Sequence, residues 1–360
     1  MFPDQVFNGR LLMLARDFRQ VTQAQLIQMM DRSITQGTLS KIEHGLLTPD
    51  EKQVDAFTKA LRLRENYFYQ QFPLFDFSHS FYRSQKSVPV SLQKTIQAKA
   101  HIYRMHIRKL LESVDLEPEL EPINRFDPEE KCPKEIAAIV RRIWDIPEGP
   151  VHYPTSIIER SGIIIIPMDF GTMKMDGFCQ HAMDGVPPLI FINKHLPVDR
   201  YRFSLLHELG HLIMHKIQND DQEKEANEFA SAFLMPERNM ENALYDLSFQ
   251  RFMHLKQYWG VSLQALMRKA KDTGRITERN YRYYQMELSK KGFRKNEPVN
   301  LEHFRETPST LQKLVKVHIN ELDYTEEELA NITGLYVDEL QEMYGLKPKP
   351  KIQLKLVVNQ

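Results

Sequence analysis

Hydrophobic positions along the chain fall mostly at helical spacing, and short polar residues mark where helices should begin. Residues 8–66 have the pattern of four or five short helices. Thr22 and Gln25 stand at the spacing of a capping box, in which each side chain satisfies a backbone N–H of the other residue. Leu26, Ile27, Met29 and Met30 follow as apolar positions, and then a polar turn, Asp31-Arg32-Ser33. A second helix is predicted from Thr35 to Glu43, with Leu39 and Ile42 facing inward. Two segments break the helical pattern: Ile163–Ile166 and Leu189–Ile192 are short, β-branched and bounded by Gly and Pro. They are predicted as strands of one small sheet. Ile352, Leu354, Leu356 and Val358 alternate with other residues and predict a short terminal strand. The expected fold class is mainly α with a small central β-sheet (α+β).

Composition adds limits. Lys+Arg and Asp+Glu both number 48, which excludes a generic polycation but leaves local charge free to segregate. It does segregate. Residues 78–110 carry Arg83, Lys86, Lys94, Lys99, Arg104, Arg108 and Lys109 and no acid. The following stretch is acidic and punctuated by Pro118, Pro122, Pro128 and Pro133, the pattern of an irregular linker, so a boundary is expected near 115–134. Further basic stretches run from Arg251 to Lys295 and over Lys347–Lys351. No run approaches the 18 or so apolar residues of a membrane span, and the opening residues have neither a basic leader nor an apolar core. The two cysteines, Cys132 and Cys179, form no C-x-x-C pair, which excludes a disulfide scaffold and a cysteine-zinc ribbon. A cytoplasmic protein with no membrane partner is expected.

On the predicted second helix, Gln36, Thr38, Ser40 and Lys41, with Gln23 before them, could hydrogen-bond base edges or phosphates. Thr22-Gln23, Leu39-Ser40-Lys41-Ile42-Glu43, Gly45 and Pro49 resemble the phage-repressor-like (XRE-type) helix-turn-helix family. The turn departs from that pattern, with roughly two extra residues and no glycine. The resemblance implies DNA as a partner and a homodimer that matches two half-sites. Residues 1–70 hold nine Lys+Arg and eight Asp+Glu, so the competing assignment is a protein-interaction or dimerisation module.

The strongest signal is His207-Glu208-Leu209-Gly210-His211. Histidines at i and i+4 share one helix face, so both imidazoles can reach one zinc ion. Glu208, about 100° round the helix, can act as the base that takes a proton from an activated water. A catalytic zinc needs a third protein ligand, and Glu223, Glu225 and Glu228 are candidates. Ala226 and Ala230 form a small-residue stripe that would let their helix approach the first near Gly210, and Glu223 shares that face. Glu225 should point away and Glu228 lies about 140° from Glu223. Glu223 is therefore the expected ligand, and Asn227, one turn on, is placed to orient a liganding histidine.

His207 to His211, Glu223-Lys224-Glu225-Ala226-Asn227-Glu228-Phe229-Ala230 and Leu234-Met235-Pro236 resemble the ImmA/IrrE metallopeptidase family. Gly177-Phe178 and Pro188 to Asn193 look like the strands before its metal helix, and E-x-x-A-N resembles the ligand helix of gluzincin-type peptidases. The resemblance covers roughly residues 150–300. It implies a zinc peptidase that cleaves a repressor protein, often one with a helix-turn-helix of its own. The expected plan is a helix-turn-helix domain over 1–70 and a basic helical segment with acidic linker over 71–134. A gluzincin-like metallopeptidase domain over 135–245 and a helical C-terminal domain with the terminal strand over 246–360 complete it. Two other assignments are a transcription regulator whose metal domain senses a ligand or partner, and an antitoxin-like protein that binds its own operator.

Several residues invite more chemistry than their spacing supports. His215, at i+8, lies about 12 Å from His207 on a straight helix, so packing or support of a ligand is expected. His181 and His195 could line a cleft, but no spacing argument favours them. Cys179 is expected as a lone buried thiol and Tyr281, Tyr283 and Tyr284 as packing residues. Thr325–Tyr344 again has a helix-turn-helix look, but its acids would repel phosphate, so packing or protein contact is expected.

Overall fold

Side chains that accept backbone N–H groups open the first four helices. Asn8 accepts from Arg10, Thr22 from Gln25, Thr35 from Thr38 and Asp50 from Gln53, satisfying donors that a first helical turn leaves unpaired. These caps start α1 (Gly9–Phe18), α2 (Gln23–Met29), α3 (Gln36–Glu43) and α4 (Glu51–Leu61), which a 3₁₀ turn over Glu65–Tyr69 follows. Both halves of the capping box at Thr22 and Gln25 are present. The computed structural model describes residues 6–73, 88–123, 126–215, 219–294 and 297–346. The expected terminal strand, the Lys347–Lys351 run, Arg83 and Lys86 lie outside the described residues. Among the described residues the chain is mainly α-helical with one three-stranded sheet, an α+β protein. No described helix is long and apolar enough to cross a membrane.

The chain divides into two compact units that do not follow its linear order. The first takes Met1–Leu74, His101–Ser113 and Leu311–Gln360, and the second Phe75–Ala100 and Val114–Thr310, with one division inside α5 (Val90–Leu110).

In the first unit, Leu26, Leu39, Ile42 and Phe57 are fully buried among the opening helices. The glycine-free turn between α2 and α3 closes because Asp31 and Arg32 both adopt left-handed backbone, φ 52° and 55°. Arg32 N–H then donates to the Ile27 carbonyl at 2.9 Å and Ser33 N–H to that of Met30 at 3.0 Å, which absorbs the extra residues. The unit also contains α14 (Thr310–Asn320), α15 (Glu326–Thr333) and α16 (Val337–Tyr344). The acids of α15 and α16 face arginines: Arg19 pairs with Glu339 at 2.8 Å, Arg62 with Asp338 and Arg64 with Glu327, both at 2.7 Å. The expected acidic helix pair is thus a packing element. His106, on α5, lies 2.7 Å from the Tyr344 hydroxyl through Nδ1, and burial lowers its pKa to about 3.

In the second unit, α6 (Pro133–Ile143) and α7 (Pro154–Arg160) each carry proline in the first turn, where no N–H is needed. The β-branched runs form β1 (Ile164–Met168) and β3 (Leu189–Asn193), with β2 (Gly177–Gln180) between them in sequence. The sheet order is β1-β3-β2: β3 pairs in parallel with β1 and antiparallel with β2. All five residues of β3 are buried, as a central strand covered on both faces requires. Ile165, Ile190 and Ile192 share one core with Leu205, Leu206 and Leu209 of α8 (Val198–Met214), while Phe191 stacks on Phe178 with centroids 4.7 Å apart. The unit continues with α9 (Gln222–Leu234), α10 (Glu237–Ala243), α11 (Phe249–Trp259), α12 (Leu263–Asp272) and α13 (Glu278–Lys290). The described residues of the acidic stretch before Pro133 are irregular and pinned to this unit, since Glu119 and Leu120 N–H both donate to the Arg160 carbonyl. Tyr281 and Tyr284 pack on its core and Tyr283 is exposed.

Candidate metal centre

Helix α8 carries His207 and His211 one turn apart, against the start of α9. Gly210 permits that approach: a Cβ there would stand 3.1 Å from Phe229 Cδ1 and 3.4 Å from Ala226 Cα. The helices therefore meet along the expected small-residue stripe, and Glu223 arrives opposite the two histidines. Nε2 of His207 and Nε2 of His211 are 3.0 Å apart, and the Glu223 carboxylate lies 3.4 Å from the first and 3.5 Å from the second. Among the described residues these three side chains form a group able to hold a metal ion.

The protonation of the ring nitrogens follows from what surrounds them. His207 Nδ1–H donates to Asn227 Oδ1 at 3.1 Å, leaving the Nε2 lone pair facing the centre. Behind His211 runs a longer relay. The Glu225 carboxylate accepts from His215 Nε2–H at 2.9 Å and from Asn219 Nδ2 at 3.1 Å. His215 Nδ1 is then bare and accepts His211 Nδ1–H at 2.9 Å, which turns the His211 Nε2 lone pair inward as well. With both rings neutral, two lone pairs at 3.0 Å cannot hydrogen-bond each other, and a cation between them, a proton or a metal ion, satisfies both. Ligand atoms on a tetrahedral zinc at about 2.0–2.1 Å stand roughly 3.3 Å apart, close to the three separations here. Two imidazoles and a carboxylate also form a donor set of catalytic zinc sites.

The charge environment agrees. Burial lowers His211 to about 2, with His207 and His215 adding to the effect, so its imidazole stays neutral. Burial also lowers His207, yet Glu223 and Glu208 leave it raised overall, so the centre draws positive charge. Glu208 is 7% exposed, and burial pushes its carboxyl up to about 7, a trend that His207 opposes and Glu223 reinforces. Strand β2 lies directly over it. A Cβ on Gly177 would sit 3.2 Å from Glu208 Cγ and 2.9 Å from the Phe191 carbonyl, so the strand can lie this close only with glycine there.

Residues 158–271 match the IrrE N-terminal-like domain, Peptidase_M78. The IrrE N-terminal-like segment runs from α7 into α12 and so contains the sheet and both helices of the centre. It supports a metallopeptidase-type enzyme at the level of the family, whose members are typically zinc-dependent. No curated protein matches the chain.

Other residues singled out in the sequence fall as follows. Glu225, expected to point away, instead anchors the relay through His215, because α9 begins alongside the end of α8 and two of its faces are engaged. His215 lies outside the group of three and is hydrogen-bonded to His211. His181 Nε2 lies 3.1 Å from the His215 carbonyl, and His195 pairs with Asp169 at 3.1 Å outside the metal group. Cys179 is partly buried, and burial together with Glu208 pushes its thiol well up, so it stays protonated. In the first unit, Gln36 and Lys41 are exposed, and Gln23, Thr38 and Ser40 are partly so. Gln36 Nε2 donates to Gln23 Oε1 at 3.2 Å, Gln23 Nε2 donates to Glu43 at 2.7 Å, and Arg16 Nε donates to the same carboxylate at 2.8 Å.

Proposed function

We propose that the chain is a zinc-dependent regulatory endopeptidase joined to a DNA-binding helix-turn-helix, and that it cleaves a repressor-type protein to control transcription. The observation that carries this reading is the convergence of His207, His211 and Glu223 within 3.0–3.5 Å of one another, beside the buried carboxyl of Glu208. Zinc bound there would supply Lewis acidity to a peptide carbonyl and to a water molecule. Glu208 takes the proton of the attacking water on a carboxylate oxygen and delivers it to the departing amide nitrogen. A base whose own value lies near neutrality suits both transfers. Asn227 and the His215–Glu225 relay hold the two imidazoles in the tautomers that ligation needs.

For DNA, the support is the polar surface of α3. The Gln23–Gln36 pair is held from below by Glu43, and Lys41 is exposed at the surface, where it can meet a phosphate. A homodimer presenting two copies of α3 to paired half-sites follows from that use. The two free cysteines suit the reducing cytoplasm.

One observation favours a second reading, a regulator whose metal domain senses a ligand or partner with little peptidase activity: Glu208 is covered by β2 and stands beside a protonated Cys179 thiol. Wild type and Glu208→Gln, assayed for zinc per chain and incubated with repressor-type helix-turn-helix proteins, separate the two. Cleavage by wild type alone at equal zinc is the expected result. Equal zinc without cleavage by either favours the sensor, and absence of zinc from both overturns the metal assignment.

A further inference from the structure

A cavity of about 540 Å³ opens within the second unit, between α6, the C-terminal end of α9 and the start of α10, with Lys269 of α12 reaching it. It lies at the opposite end of α9 from Glu223. Two of its lining cations are buried. Lys269 is 5% exposed, and among the described residues its ammonium makes no hydrogen bond or ion pair. Arg141 is 6% exposed, and its guanidinium donates to the carbonyls of Phe233 at 2.7 Å, Pro147 at 2.5 Å and Gly149 at 3.0 Å. These three carbonyls use only three of its five N–H groups, and the one acid that acts on its charge, Glu148, is exposed.

The acids of the same lining are already engaged. Glu237 pairs with Lys134 at 3.8 Å, Glu148 with Arg238 at 3.2 Å, and Glu135 accepts the Cys132 N–H at 3.1 Å. Asp145 and Arg142 stand exposed at the mouth. The buried wall is therefore cationic and the rim close to neutral. Burying an ammonium is unfavourable, and burial holds Lys269 below its usual value although Glu237 and Asp272 act against that shift.

We propose that this cavity binds a small molecule through an oxyanion group, a phosphate ester or a carboxylate, which meets Lys269 and the spare N–H groups of Arg141. The volume, within the usual range for small-ligand sites, leaves room for an organic body against Ala138, Ile146 and Ala232. The proposal concerns binding alone and holds whether or not the centre cleaves peptides.

Thermal unfolding and calorimetry of the full chain test it, with sodium phosphate and sodium acetate against sodium chloride at matched ionic strength. A saturable rise in Tm of roughly 3–5 °C at ten times Kd is expected for at least one oxyanion. The stronger of the two identifies the head group as phosphoryl or carboxylate. Lys269→Met should weaken that response at least tenfold while melting no lower than wild type in chloride. Ala138→Trp, at an exposed lining position, should obstruct the cavity and abolish the response without touching the core. No saturable response to either anion, or a response unchanged in both variants, overturns the proposal.

Discussion

The α2–α3 pair of the first unit and the α8–α9 pair of the second use one device to different ends. In each, a largely buried carboxylate anchors a relay of hydrogen bonds that fixes the side chains at its tip. From Glu43 the relay runs through Gln23 to Gln36 and ends at the exposed surface, where water can complete whatever the amide leaves unpaired. From Glu225 it runs through His215 to His211 and ends on a lone pair that faces another lone pair. The first relay is complete as protein; the second is complete only with a cation. The position of the tip, at the surface or inside, separates an exposed polar face from a group able to hold a metal ion.

Removing each anchor is the sharpest way to break the comparison. Glu43→Ala strips the carboxylate from Arg16 and Gln23 and should destabilise the first unit by on the order of 3 kcal/mol, seen as an earlier unfolding transition, with zinc content unchanged. Glu225→Ala should leave the fold in place and weaken metal binding by about 10–100-fold, measured by competition with a chelator. If chelator competition is unaffected, the relay does not prepare His211.

A third prediction distinguishes a histidine kept neutral by burial alone from one directed at a cation. His106 takes up a proton near pH 6.5 in the unfolded chain but only near 3 when folded. Protonation between those values therefore favours the unfolded chain. The stability is fully present above pH 6.5 and is lost as the pH falls towards 3, by at most about 1.4 kcal/mol per pH unit. The pH slopes of stability of wild type and His106→Leu should differ by about one proton near pH 5 and by much less at pH 7. The smallest effect expected is at the turn. Arg32→Gly relieves left-handed backbone and should stabilise the first unit by roughly 0.5–1 kcal/mol in denaturant unfolding.

The parts of the site visible in the sequence were those that depend on one helix at a time. The i, i+4 histidines, the shared face of Glu223 with Ala226 and Ala230, and the following turn with Asn227 all obey helical spacing. The capping box at Thr22 and the β-branched strands were visible for the same reason, since each is a local pattern. Glu225 was not, because its partner His215 lies just past the end of α8, where the helical wheel no longer says where a side chain points. Nor was the pairing of Arg19, Arg62 and Arg64 with acids some 260 to 320 positions away, for which no periodicity exists. The buried cations Arg141 and Lys269 look in the sequence like any surface residue of a charged helix.

The order in which the first unit receives its parts has a consequence for synthesis. More than two hundred residues separate its opening helices from Leu311, where its last segment begins. At 5–20 residues per second a ribosome needs on the order of tens of seconds to cross that gap. Throughout that interval Arg19, Arg62 and Arg64 await the acids that will cover them, while the half that carries His207, His211 and Glu223 is already emerging. A nascent chain therefore completes its centre before it completes the unit that carries α3. A chain halted before Leu311 would have the elements of the centre but an unfinished first unit.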